Sequence, residues 1–331
     1  MNAPNAPATP DAPDAIASID LACWRAGGDA AAEVEREVDA GLRRAGFLLV
    51  YGHGIPAELP AAVRAAARRF FALPDEVKQA YAVTVGGRGW IGPGKEANGY
   101  AEGTETPPDL KETYAVGADT ATGDRAVDEV WFLPNVWPAE VTELRELLTA
   151  YTTAVRALSD ELLALFAAAL RLPDNPFAAV TTRPTWTCNI NHYPPMSTVG
   201  TPEPGQFRIG PHTDFGTVTV LDREPGAGGL QVYTEEQGWA DAPWDPAALT
   251  VNIGDLLAYW SGQRWPSGRH RVLPPQPEAP EEDLVSLIYF YELDHDAVVT
   301  PLAAPIGRVT GQPPVISADF LRTRLDAITV G

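Results

Sequence analysis

The sequence predicts a mostly β core with flanking helices, a sandwich or barrel that follows a mainly helical N-terminal region. Three observations lead there. The 331 residues include 29 Gly and 32 Pro, well above the ~12 % of ordinary usage, and dense punctuation of this kind separates strands more often than long helices. Short β-rich segments recur from Trp186 onward, set apart by turn clusters such as PEPG, EPGAGG and NIGD. Helical spacing of apolar residues is concentrated in the first half.

Taken in order, Met1 to Asp14 is rich in Ala, Pro and Asp and lacks both a basic and an apolar stretch. It reads as a disordered tail, not a signal peptide. Ala30–Ala45 has helical spacing, Phe47–Tyr51 is a short apolar strand, and Gly52-His53-Gly54 is a turn. Pro60–Phe71 and Pro74–Ala82 read as helices, the latter opened by proline in its first turn. Arg88–Pro108 is a Gly/Pro-rich loop, and 136–172 carries the longest amphipathic signal, one helix or two. Strands are expected at Trp186–Tyr193, Phe215–Leu221, Gly229–Tyr233, Leu249–Ile253, Leu256–Trp260, His270–Leu273 and Leu284–Tyr291. Ser317–Ile328 is a closing helix, capped by Ser317 and Asp319. The expected organisation is a tail (1–14), a mainly helical region (15–180) and a β core with its closing helix (181–331).

Charge and cysteine content exclude several function classes. With 24 Lys+Arg against 44 Asp+Glu the formal charge is −20, which disfavours nucleic acid and anionic membrane surfaces as partners. The only lysines are Lys78, Lys95 and Lys111, so arginine must do most anion binding. Cys23 and Cys188 are too few for a disulfide framework or a Cys-rich metal site and read as reduced thiols. No apolar run reaches the ~18 residues of a membrane span. A cytoplasmic protein acting on a small molecule is expected; nothing in the sequence fixes its oligomeric state.

The chemistry concentrates on histidine. His212-Thr213-Asp214 opens a predicted strand, where residues i and i+2 share a face, so an imidazole and a carboxylate converge. A further ligand from another strand, with His270 in HRVL as the candidate, would complete a 2-His-1-carboxylate face. That donor set suits Fe(II) and leaves positions open for O2 and a second molecule. Taken alone, an H-x-D pair fits equally a surface histidine beside a capping aspartate.

The surrounding segments reach further. GPHTDFGTVTVLDREPGAGGLQVY, then WADAPWDPAALTVNIGDLLAYWSGQRWPSGRHRVLPP, closely resembles the iron- and 2-oxoglutarate-dependent oxygenases of the isopenicillin N synthase-like family. AGFLLVYGHGIP, RRFFALPDEVK and PPDLKETYAVG are similar to that family's leading region, so the resemblance runs from about Ala45 to Ile328. It implies a double-stranded β-helix (jelly roll, cupin-like) in which His212, Asp214 and His270 hold Fe(II). It also implies 2-oxoglutarate and O2 as co-substrates. Tyr193 matches a tyrosine that reaches a carboxylate bound near the iron, and Asn191 shares its face. Phe215, Trp260 and Tyr289 are candidates to line the pocket. His53 is expected to be structural and His295 solvent-exposed, while His192 receives no metal role.

One position departs from the family. Its R-x-S clamp for the far carboxylate of 2-oxoglutarate aligns with Leu284 and Ser286, and no Arg or Lys lies between Val272 and Ser286. A buried carboxylate without a cation loses a charge-assisted pair and its hydration together. Arg223 and Arg208 are the two candidates to replace the missing charge. The expected function is therefore a mononuclear non-haem Fe(II) oxygenase that hydroxylates, desaturates or cyclises a small molecule with 2-oxoglutarate. An oxidase whose substrate binds iron directly, without 2-oxoglutarate, is the alternative. A non-catalytic binding protein of the same fold is the third reading.

Overall fold

A computed structural model describes residues 16–328 apart from 104, 105, 228 and 310; the expected tail, 1–14, lies outside them. The strands of its two main sheets are β1 (Ala17–Asp20), β2 (Phe47–Tyr51), β3 (Gly89–Ile91), β4 (Glu112–Gly117), β5 (Pro184–Tyr193), β6 (Ile209–His212), β7 (Val218–Asp222), β8 (Leu230–Thr234), β9 (Gly238–Asp241), β10 (Leu249–Ile253), β11 (His270–Val272) and β12 (Leu284–Asp294). Eight form a sheet in the order β1-β2-β10-β7-β12-β5-β4-β3, and four form a second sheet, β6-β11-β8-β9. The helices are α1 (Leu21–Arg25), α2 (Gly28–Ala45), α3 (Glu58–Phe71), α4 (Asp75–Lys78), α5 (Arg125–Trp131), α6 (Leu144–Ala169), α7 (Met196–Val199), α8 (Asp255–Trp260) and α9 (Ser317–Ile328).

Helices α2, α3 and α6 pack on one face of the large sheet. Their apolar stripes, including Val38, Leu42, Val63, Phe70, Leu158, Leu162 and Phe166, are buried. Each such side chain gains ~1.5–3 kcal/mol by leaving water, which holds this layer on the sheet. The period-2 pattern of β12 shows how one strand serves two purposes. Val285, Leu287, Tyr289, Tyr291 and Leu293 join the core under the helices, whereas Leu284, Ser286, Phe290 and Glu292 face cavities on the opposite side. A smaller cluster of Phe47, Leu49, Leu230, Val232 and Ala242 fills the space between the two sheets. The result is the jelly-roll sandwich that the sequence predicts.

One glycine is required by close approach. Gly46 ends α2 at φ 70°, and a Cβ there would meet Pro266 O at 2.5 Å and Gly268 N at 2.8 Å. Gly268 in turn bonds Ile253 O at 3.0 Å, two residues before His270. The turn into β2 thus braces the segment that carries a candidate ligand.

Within the mainly helical N-terminal region, β1 to β4 supply both edges of the large sheet. Several expectations are refined or corrected. The segment Leu256–Trp260 is not a strand: Asp255–Trp260 is helix α8, since Leu256, Leu257 and Trp260 recur at helical spacing and all three are buried. The amphipathic signal across 136–172 is a single 26-residue helix, Leu144–Ala169. Pro74–Ala82 divides into α4 and a 3-10 turn, Gln79–Tyr81. Ser317 does begin α9, but its buried hydroxyl has no partner among the described residues, so it makes no side-chain cap. Cys23 is exposed and Cys188 buried, and both are free thiols.

Candidate iron centre and its cavity

His212 closes β6 and pairs with His270, which opens β11, in the small sheet. Asp214 lies just past the end of β6, in the bent segment by which the chain passes from the small sheet to β7 of the large one, and not on one continuous strand as the sequence suggested. That segment is fixed from behind: Asp255 N bonds Asp214 O at 2.8 Å, and Gly254 N bonds Thr217 O at 3.1 Å. The ligand atoms of His212, Asp214 and His270 all lie within 4.8 Å of one another. Nε2 of His212 is 3.7 Å, and Nε2 of His270 4.0 Å, from Asp214 Oδ1.

The surrounding bonds prepare these groups for a metal. His212 Nδ1 contacts Gly210 O at 2.8 Å, and His270 Nδ1 contacts Gly268 O at 2.9 Å. A carbonyl only accepts, so both Nδ1 atoms carry a proton, which leaves Nε2 of each ring as the atom turned to the shared point. Asp214 Oδ2 accepts from Thr219 Oγ1 at 2.6 Å and from Asn252 Nδ2 at 2.7 Å. Burial disfavours the carboxylate, but the two imidazoles and these two donors hold Asp214 below its usual range. Two imidazole nitrogens and one carboxylate oxygen turned to one point form a donor set that fits Fe(II) with open positions.

His212 and Asp214 of the triad line a cavity of about 210 Å³. Its sheet wall carries polar groups, among them Arg88, Lys111, Asn189, Asn191 and Glu292, while Val130, Trp131, Phe215, Leu321 and Leu325 give it an apolar side. A smaller recess of about 40 Å³ is lined by Tyr193, Arg223, Leu284 and Ser286. Asn191 faces the cavity, Tyr193 faces the recess, and Asn191 Nδ2 lies 3.4 Å from the Tyr193 hydroxyl. Lys111 extends this polar line, donating to Thr113 Oγ1 at 3.1 Å, which bonds Asn191 Oδ1 at 2.9 Å.

The two arginine candidates separate clearly. Arg223 lies in the recess beside Leu284 and Ser286. Its Nη2 donates to Ala242 O and Pro243 O, both at 2.8 Å, and its buried Nε has no partner among the described residues. Burial lowers its pKa to about 10. Arg208 is fully buried, pairs with Glu282 at 2.8 Å and lies 5.8 Å from the Tyr193 ring, and it is not on the recess wall.

Of the expected pocket aromatics, Phe215 lines the cavity. Trp260 does not, because α8 turns it into the core against Phe177, with ring centroids 4.5 Å apart. Tyr289 does not either: its place in the β12 alternation buries it among Trp186 and Tyr291, and its neighbour Phe290 faces the cavity instead. His53 braces its own turn, accepting from Ile55 N at 3.2 Å. His192 lies on the helical face between Glu112 and Asp283, 2.9 Å from each. His295 is only partly exposed, packed edge-on against Phe132. The sequence reading missed Arg88, Asn189 and Glu292. Strand alternation from Asn191 and Ser286 was the signal available for the last two.

Residues 16–140 match the N-terminal region of non-haem dioxygenases in morphine synthesis, and residues 185–292 match the 2OG-Fe(II) oxygenase superfamily. Validamycin A dioxygenase of Streptomyces hygroscopicus subsp. limoneus is 42 % identical over 314 residues, covering 94 % of this chain and 86 % of that protein. The chain belongs to the 2OG-Fe(II) oxygenase superfamily. It is an Fe(II)- and 2-oxoglutarate-dependent oxygenase of the isopenicillin N synthase-like family. Homoarginine-6-hydroxylase 2-ODD-C23.1 of Arabidopsis thaliana is 32 % identical over 278 residues, covering 82 % of this chain and 80 % of that one. Among solved structures, a 2OG-Fe(II) oxygenase family protein from Caulobacter crescentus superposes with a TM-score of 0.80 at 28 % identity, over 95 % of this chain and 99 % of that one. A full-length Neurospora crassa protein in complex with alpha-KG and thymine also gives 0.80 at 28 % identity, over 94 % and 96 %. No helix among the described residues is long and apolar enough to cross a membrane.

Proposed function

We propose that this oxygenase binds iron through His212, Asp214 and His270 and oxidises a small polar molecule held in the adjoining cavity. In this reading 2-oxoglutarate reaches from the triad into the recess, where Arg223 replaces the family arginine. The observation that carries it is Arg223 itself: it is the cation lining the recess that also holds Tyr193, Ser286 and the arginine-position Leu284. In the antiparallel register of β7 with β12, Leu287 faces Asp222. Arg223 therefore follows opposite Ser286, and residues opposite each other share a face.

Bound iron supplies O2 activation and the oxidising equivalents. The chain's residues do the rest. Ser286 and Tyr193 offer hydroxyls to the far carboxylate, and Arg223 offers charge. Asn191 and Lys111 keep the Tyr193 hydroxyl oriented through the Thr113 bridge. Burial of the triad, each member no more than 9 % exposed, excludes bulk water from the reacting centre.

Anaerobic calorimetric titration of 2-oxoglutarate into the iron-loaded protein is expected to show one saturable site. Absence of heat at millimolar ligand overturns the recess assignment. For the substrate, validamycin A is the first candidate on the strength of the 42 % identical relative. Turnover should add one oxygen to it and release one succinate per product. An unchanged compound removes validamycin A as the substrate.

A further inference from the structure

Glu292 is a carboxylate in the cavity wall that the reaction at the triad does not use. It sits on the cavity face of β12, and its remaining accessible surface turns into the cavity. Among the described residues its one hydrogen bond is from Thr217 N, at 3.2 Å. No Lys, Arg or His of the described residues pairs with it, although the chain places cations beside nearly every other buried acid near the site. Glu96 has Lys111, Glu112 has Lys78 and His192, and Glu282 has Arg208. Burial and the charge of Asp214 push Glu292 well above the usual carboxylate range.

Such a group is costly. Removing a carboxylate from water with one main-chain donor in return leaves most of its hydrogen-bonding capacity unmet. Its position is also built in. Gly216 lies directly against the Glu292 carboxylate, and any Cβ at 216 would overlap it. The same cavity is lined by Asn189 and Arg88, polar side chains beside which a substrate would lie. An acid on the cavity wall with no cation beside it describes the complement it lacks: a cation.

We infer that Glu292 recognises a protonated amine of the substrate, so that the substrate is an amine bearing further hydroxyl or carboxyl oxygens within reach of Arg88. This rests on the cavity being the substrate site. The cationic nitrogen completes the ion pair that the protein leaves open and sets the register of the substrate on the sheet wall. Arg88 and Asn189 take its oxygens and donors. A site built to pair a charge rejects the uncharged isostere strongly, because binding it strands the buried carboxylate.

The test uses matched pairs, cyclohexylamine with cyclohexanol and benzylamine with benzyl alcohol, titrated anaerobically into the iron-loaded protein with 2-oxoglutarate and followed by ligand-observed NMR. Each amine is expected to bind at least tenfold more tightly than its alcohol. Glu292→Gln, which still accepts from Thr217 N, should erase the preference while leaving 2-oxoglutarate affinity within twofold. Equal affinity within both pairs in the wild type, including no detectable binding of any probe, overturns the inference. A preference that survives in Glu292→Gln does so too. Because 2-oxoglutarate binding is measured separately, its failure counts against the recess assignment and not against the role of Glu292.

Discussion

Arg223 shares one recess with Leu284, the residue that stands at the family's arginine position. In the proposed 2-oxoglutarate site the cation thus comes from the end of the neighbouring strand, β7, instead of from β12. Removing one partner of a buried charge pair costs ~2–5 kcal/mol. Arg223→Leu should accordingly weaken 2-oxoglutarate binding by roughly a hundredfold or more. Adding Leu284→Arg to that variant should restore much of the affinity. Anaerobic calorimetry on the wild type and both variants checks this, and an unchanged affinity in Arg223→Leu would falsify the assignment.

Asp214 is oriented by Thr219 and Asn252, which occupy its second oxygen. Partners of this kind typically contribute 10–100-fold to metal affinity. Asn252→Ala is expected to weaken Fe(II) binding by about tenfold. The double variant Thr219→Val/Asn252→Ala should lose more than either alone, since the freed oxygen can then rotate. Competition with a metal-binding dye gives the affinities, and a fall only in melting temperature would show the pair to be merely structural.

Gly254 packs its Cα against the bent segment that carries Asp214. A Cβ there would lie 2.8 Å from Gly216 N and 2.9 Å from Asp214 O, both backbone atoms. Its φ of −96° suits any residue, so the obstacle is space alone. Gly254→Ala should cost ~1–3 kcal/mol of stability by overpacking. It should also shift Asp214 enough to lower Fe(II) affinity, as measured by denaturant unfolding and metal titration on one preparation.

His192 links Glu112 on β4 with Asp283 ahead of β12. Burial opposes its protonation, but the bonds to Asp283 and Glu112 outweigh burial and raise its pKa above the usual value. Since the folded-state pKa lies above the unfolded one, near 6.5, the stabilisation is complete below about pH 6. It is lost as pH rises through the folded value. The melting temperature of wild type relative to His192→Asn should therefore shrink by roughly 1–3 °C between pH 6 and pH 9. A difference that stays constant over this range would show that His192 contributes only by stacking on Phe71.

By itself the sequence determined the fold and the metal donors. Gly/Pro punctuation marked the turns, short β-rich segments marked seven of the twelve strands of the two main sheets, and two histidines with one aspartate in a recognisable frame marked the triad. These are local signals, carried by residue type and spacing along a few positions. Where helical and strand spacing coincide in a short apolar run, as at Leu256–Trp260, local pattern was not enough, and burial against Phe177 decided for helix. Only the tertiary structure separates Arg223 from Arg208, because strand neighbours far apart in sequence decide which side chain lies on the recess and which pairs with Glu282. It also showed Glu292 in the cavity wall with no cation of the described residues beside it. A carboxylate reads the same on paper whether a cation stands beside it or not; that depends on what the fold packs around it.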